Sequence, residues 1–128
     1  MKKQYILLVD DDPDEFDFFQ SALEKLPGLF DCGYAVSPSA AFSLLDETLP
    51  DYIFMDMNMP LMNGLECTSK LKKTDGLSDI PVIIYTTGYN PALHREALQI
   101  GAAGCVQKPT RPTDLVNMLK NLYNTGSL

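Results

Sequence analysis

Tyr5-Ile6-Leu7-Leu8-Val9-Asp10-Asp11-Asp12-Pro13-Asp14 joins a continuous apolar run directly to four carboxylates, with a single proline among them. An uninterrupted hydrophobic pentapeptide reads as a strand buried on both faces, the habit of parallel sheets covered by helices on each side. Asp12-Pro13 then reads as a helix start, because aspartate caps free N–H groups and proline suits the first helical turn. Asp14 falls in that first turn, where the helix dipole favours an acid. The charge at the strand end still needs a reason. Two unit charges ~4 Å apart repel by roughly 4 kcal/mol at an effective dielectric of ~20, so such a cluster calls for a cation, strong donors or raised pKa values.

The alternation of strand and helix continues outward from this stretch. Predicted strands cover residues 5–9, 30–36, 52–57, 82–85 and 104–106, mostly as continuous hydrophobics. Predicted helices cover 13–25, 40–47, 64–73, 91–100 and 110–123. The first carries Phe16, Phe19, Ala22, Leu23 and Leu26 at helical spacing, and the last Leu115, Val116, Met118, Leu119 and Leu122. Ser37-Pro38 and Asn90-Pro91 repeat the start signal, whereas Pro27-Gly28, Leu49-Pro50, Asn63-Gly64, Gly88 and Gly101 mark short breaks. Only 124–128 reads as a loose tail. Strands alternating with helices predict an α/β fold with a doubly wound, five-stranded parallel sheet.

Ligands of such sheets sit at the carboxyl ends of the strands. That rule selects Asp10 to Asp12 after strand one, Asp56 to Asn58 at the end of strand three, Thr86 and Thr87 at the end of strand four, and Gln107 and Lys108 at the end of strand five. Asp56 ends the apolar run Tyr52-Ile53-Phe54-Met55, an odd place for a solubilising charge. A carboxylate oxygen can attack phosphorus to give an acyl phosphate. Beside Asp10 and Asp11 that reaction requires a cation, and Mg2+ prefers oxygen ligands from one or two carboxylates together with phosphate. Lys108 offers an ammonium and Thr86 a hydroxyl to the phosphoryl oxygens.

Ile6 to Pro13, then Asp51 to Pro60 with Asn63-Gly64, then Pro81 to Thr87, then Gly101 to Pro109 together resemble the receiver domain of two-component response regulators, across nearly the whole chain and in order. The resemblance implies a flavodoxin-like three-layer fold with strand order 2-1-3-4-5, and a single receiver domain over 1–128. It makes Asp56 the phosphoacceptor, Asp10 and Asp11 the acidic pair around Mg2+, and the Asn58 main-chain carbonyl a further ligand. Thr86 becomes the switch hydroxyl and Lys108 the phosphoryl-binding lysine, with a cis peptide expected before Pro109. A histidine kinase or phosphotransfer protein is the implied donor, a protein target the implied reader, and a second copy of the chain a possible partner. One position departs from the pattern: Cys105 stands three residues before the lysine, where receivers usually carry Tyr or Phe. The site chemistry does not depend on that ring, and Tyr85 and Tyr89 are the nearby aromatics that would have to substitute for it in the switch.

Other signals point away from competing functions. The chain has 128 residues, a net charge of -7 and a pI near 4.4, which oppose binding to nucleic acid. No apolar run is long enough to span a membrane and no leader pattern opens the chain, so the cytoplasm is the expected location. Cys32, Cys67 and Cys105 are odd in number and widely spaced, as reduced packing thiols are. His94 reads as a surface residue, and Met55, Met57, Met59 and Met62 as packing. An aspartate-nucleophile phosphatase is the alternative function. It needs an acid two residues after the nucleophile, where this chain has Asn58. A flavin-binding module would want a Ser/Thr/Gly-rich loop after strand one, where four acids stand.

Overall fold

Side chains alternate across each strand, so a strand buried on both faces feeds two separate cores. The computed structural model, which describes residues 2–128, has this arrangement. Strands β1 (Gln4–Val9), β2 (Phe30–Ala35), β3 (Tyr52–Asp56), β4 (Val82–Thr86) and β5 (Gly104–Gln107) alternate with helices α1 (Pro13–Leu23), α2 (Pro38–Leu45), α3 (Gly64–Lys72), α4 (Pro91–Gln99) and α5 (Pro112–Thr125). All strand pairs are parallel, in the expected order β2-β1-β3-β4-β5. Ile6, Leu8, Phe54, Ile83 and Tyr85 meet Phe19 of α1 and Leu115, Leu119 and Leu122 of α5 on one side. Leu7, Val9, Ile53, Met55 and Ile84 meet Ala41, Leu45, Cys67, Leu71 and Ala97 of α2, α3 and α4 on the other. Each fully buried aliphatic side chain contributes about 1.5–3 kcal/mol, so β1, β3 and β4 are the least movable elements. Their carboxyl ends lie along one edge.

The expected caps form. Asp12 Oδ1 accepts from Asp14 N–H at 3.0 Å, Ser37 Oγ from Ala40 N–H at 3.1 Å, and Asn90 Oδ1 from Leu93 N–H at 2.8 Å. Asn63 and Glu66 exchange side-chain and main-chain bonds as a reciprocal capping box.

Four expectations need correction. Helix α2 starts at Pro38 rather than residue 40, because Ser37 itself is the cap. Helix α5 starts at Pro112 rather than 110: a proline holds the residue before it extended, and Arg111 has φ -106° and ψ 138°. The tail is not loose throughout. Helix α5 continues to Thr125, Gly126 closes it in the left-handed region at φ +77°, and the Thr125 hydroxyl donates to the Ser127 carbonyl at 3.0 Å. The Lys108–Pro109 bond is trans, the ordinary preference even for X–Pro, and no cis peptide occurs among the described residues. No helix among the described residues is long and apolar enough to cross a membrane.

Candidate functional site

Asp10 follows the last residue of β1 and is completely buried. Its N–H donates to the Ala35 carbonyl at 3.0 Å, and its own carbonyl accepts from the Tyr34 hydroxyl at 2.7 Å. Its carboxylate is shared: Oδ1 accepts from Asp12 N–H at 3.0 Å, and Oδ2 from the Lys108 ammonium at 2.8 Å. Asp56, the last residue of β3, is 5% exposed and lies 3.2 Å from the same ammonium. Asp11 is exposed at the mouth. Asp10, Asp11 and Asp56 each present an oxygen within 4.8 Å of the others, a spacing and a hard donor set that suit an ion such as Mg2+.

Lys108 reaches this edge because β5 ends at Gln107 and its N–H donates to the Thr86 carbonyl at 2.8 Å. The side chain is 9% exposed and also lies 3.9 Å from Glu15 of α1. Asp10, Asp11, Asp56 and Glu15 against one ammonium leave a local excess of three negative charges. Burial first, and then this imbalance, set the pKa shifts. Burial, and then the charge of Asp10, push Asp56 up to about 6, against the opposing pull of Lys108 and a hydrogen bond from the Asn58 main chain. Burial acts to lower Lys108, but its bond to Asp10 and the charges of Asp10, Asp56 and Glu15 outweigh it and raise the value. A buried carboxylate with a raised pKa beside a buried ammonium makes this edge the candidate functional site.

Thr86 is 1% exposed at the end of β4, and its hydroxyl oxygen accepts from Gly88 N–H at 3.0 Å. With Met57, Asn58 and Gly88 it lines an open groove between the β3–α3 loop and α4. Asn58 is exposed there. The structure thus brings Asp10, Asp11, Asp56 and Lys108 into contact distance and places Thr86 and Asn58 at the rim. Thr87 is exposed, and its carbonyl accepts from the Gln107 amide at 2.8 Å, while Gln107 Oε1 accepts from Tyr89 N–H at 3.2 Å.

Neither tyrosine takes the place of the ring that Cys105 replaces. Tyr85 points to the α1–α5 side, packed edge-on against Phe19 and Phe54, with its hydroxyl buried and unpartnered. The Lys108 ammonium lies 5.7 Å from its ring centre. Tyr89 is 38% exposed and hydrogen bonds to His94 Nδ1 at 2.7 Å. His94 is accordingly half-buried rather than free on the surface. Cys105 is 3% exposed in the α2–α4 core, and burial raises its thiol. The four methionines of the β3–α3 region all pack into that core.

Two contributors were not legible in the sequence. Glu15 lies in the first turn of α1 and brings its carboxylate 3.9 Å from the Lys108 ammonium, 93 residues along the chain. Gly64 has no room for a side chain: a Cβ would stand 2.3 Å from the Asp56 carbonyl oxygen. Its N–H donates to the Met57 carbonyl at 2.9 Å, so the turn after Asp56 closes by backbone approach. The Asn63-Gly64 pair signalled a turn, not this proximity.

A doubly wound parallel sheet with three carboxylates and a lysine gathered at its carboxyl edge defines a class of α/β signalling domain. Comparison with known proteins narrows the class. The family model for the response regulator receiver domain matches residues 6–120, and the chain belongs to that family, whose function is phosphorylation-dependent signalling. The positive alginate biosynthesis regulatory protein of Pseudomonas aeruginosa is 32% identical over 120 residues, covering 90% of this chain and 45% of that protein. The phosphate regulon transcriptional regulatory protein PhoB of the same organism is 31% identical over 122 residues, covering 94% and 52%. The chain spans about half the length of these relatives. Among solved structures, the receiver domain of a DNA-binding response regulator from Colwellia psychrerythraea superposes with a TM-score of 0.81 at 28% identity, covering 96% of this chain and 100% of that one. The phosphatase reading finds no support in these matches.

Proposed function

We propose that Asp56 is the phosphoacceptor of this receiver, taking a phosphoryl group from a phosphohistidine on a histidine kinase or phosphotransfer protein. An Asp56 carboxylate oxygen attacks phosphorus, the new O–P bond forms as the N–P bond breaks, and the donor imidazole leaves with its electron pair. The observation that carries this reading is the buried Asp56 carboxylate 3.2 Å from the Lys108 ammonium and beside Asp10 and Asp11. Asp10, Asp11, Asp56 and the Asn58 carbonyl would hold Mg2+, which when bound offsets the negative charge shared by the carboxylates and the incoming phosphate. Lys108 turns toward a phosphoryl oxygen, and the Thr86 hydroxyl, whose oxygen accepts from Gly88 N–H, donates its O–H to another. The added charge of roughly -1.5 to -2 thereby biases the β4–α4 loop and the α4–β5–α5 face, which a protein target reads. Residues 1–128 act as one receiver unit in the cytoplasm, a second copy of the chain is a candidate reader, and catalysis is confined to gain and loss of its own phosphoryl group.

Incubation with Mg2+ and acetyl phosphate should give a hydroxylamine-labile mass gain that Asp56→Asn abolishes. A modification surviving that substitution overturns the assignment. Thr86→Ala should keep the mass gain while weakening capture by the cognate target.

A further inference from the structure

Asp11 is the exposed member of the carboxylate trio. Its side chain projects from a backbone that is anchored at the peptide plane joining it to Asp10. A planar peptide has no rotation of its own, so a bond that pins the Asp10 carbonyl oxygen also fixes the N–Cα vector of Asp11. The pin is Tyr34, whose hydroxyl donates to that oxygen at 2.7 Å from the neighbouring strand β2. The next residue, Ala35, accepts from Asp10 N–H at 3.0 Å. Two successive residues of β2 therefore hold both main-chain groups of Asp10. The Tyr34 ring is itself held: it stacks on Phe16 of α1 at 4.9 Å between centres with 17° between planes. Since β2 pairs with β1 through Leu8↔Tyr34 and Val9↔Ala35, the phenol has a rigid strand on one side and a helix on the other.

We infer that Tyr34 is a positioning residue for cation binding, setting the peptide between Asp10 and Asp11 so that both carboxylates meet Asp56 at one point. The inference rests on the proposed cation site. Partners that orient ligands from outside a metal site commonly change affinity by tenfold or more. The Tyr34 hydroxyl bonds to the Asp10 main chain rather than to a carboxylate, so its effect belongs to the binding of the cation rather than to the transfer step.

The test is calorimetric titration of the unphosphorylated protein with Mg2+, for wild type, Tyr34→Phe and Asp11→Asn, at a temperature where all three are folded by circular dichroism. Tyr34→Phe keeps the stacked ring and removes the hydroxyl. It should weaken Mg2+ by about tenfold. Phosphorylation by acetyl phosphate should then need more Mg2+ for half-maximal rate while reaching a rate within about twofold of wild type at saturation. A Tyr34→Phe variant that is less stable yet binds Mg2+ as wild type does, while Asp11→Asn loses it, overturns the role of Tyr34 and leaves the site intact. Wild type that takes up no Mg2+, or Asp11→Asn that binds as tightly as wild type, overturns the site and this inference with it. Should Tyr34→Phe fold poorly, Tyr34→Leu serves as the second variant. It has no side-chain donor at all, and undiminished Mg2+ affinity in it counts equally against the inference.

Discussion

Asp56 is charged in surroundings that disfavour the charge, and this gives the residue a pH signature. Its pKa rises from 3.8 to about 6, through burial first and the Asp10 charge second. An acid with a raised folded pKa contributes stability that is fully present below its unfolded pKa and is lost as pH rises through the folded value. The loss therefore falls between about pH 4 and pH 6 and amounts to about 3 kcal/mol for a shift near two units. Asp56→Asn escapes it. In Mg2+-free buffer that variant should be about 1–3 kcal/mol more stable than wild type near pH 7.5, with the difference closing near pH 4, as urea unfolding at the two pH values will measure. Cys105 makes a second prediction. A tyrosine there, closer to the usual receiver pattern, must enter the packed core shared with Ile84, Ala97 and Ala102. Cys105→Tyr should cost about 1–3 kcal/mol of stability through overpacking and leave the mass gain on Asp56 intact.

The β3–α3 connection is the element on which the site geometry depends most. Gly64 begins α3 against the Asp56 carbonyl, and Asn63 with Glu66 caps the same helix. Gly64→Ala forces apart backbone that cannot yield. It should destabilise by about 2 kcal/mol or more and slow phosphorylation, both read against Asn63→Ala, which should cost only about 1 kcal/mol as a lost cap. The strands and their terminal residues were legible in the sequence because burial on both faces leaves continuous apolar runs, and a carboxylate or threonine at the end of such a run stands out. Cap residues were legible for an equally local reason. Glu15, Tyr34 and Gly64 were not, since each matters through one contact made only once the chain has folded: with Lys108, with the Asp10 carbonyl and with the Asp56 carbonyl. No local pattern encodes the Tyr34 bond to Asp10, 24 residues away. The trans bond before Pro109 and the ordered end of α5 were also set by context rather than by spacing.

The whole molecule carries a net charge of -7, and the carboxyl edge of the sheet concentrates part of it. A small anionic phosphodonor meets repulsion at long range, which salt screens over a Debye length of ~8 Å near physiological ionic strength. Raising salt from about 20 to about 200 mM at saturating Mg2+ should accelerate phosphorylation by acetyl phosphate about two- to threefold. The initial rate of mass gain checks the sign. A slower reaction at high salt would mean that the local ammonium outweighs the global field.

Tyr85 gives the protein a means of being watched. The chain has six tyrosines and no tryptophan, and Tyr85 is the one whose ring lies 5.7 Å from the Lys108 ammonium. A ring's electron cloud responds to a cation over its face. Fluorotyrosine placed throughout the chain would make Tyr85 an internal resonance beacon for the lysine, its frequency shifting with any displacement of the Lys108 ammonium from its ring, with one fluorine on each tyrosine as the only alteration and no dye.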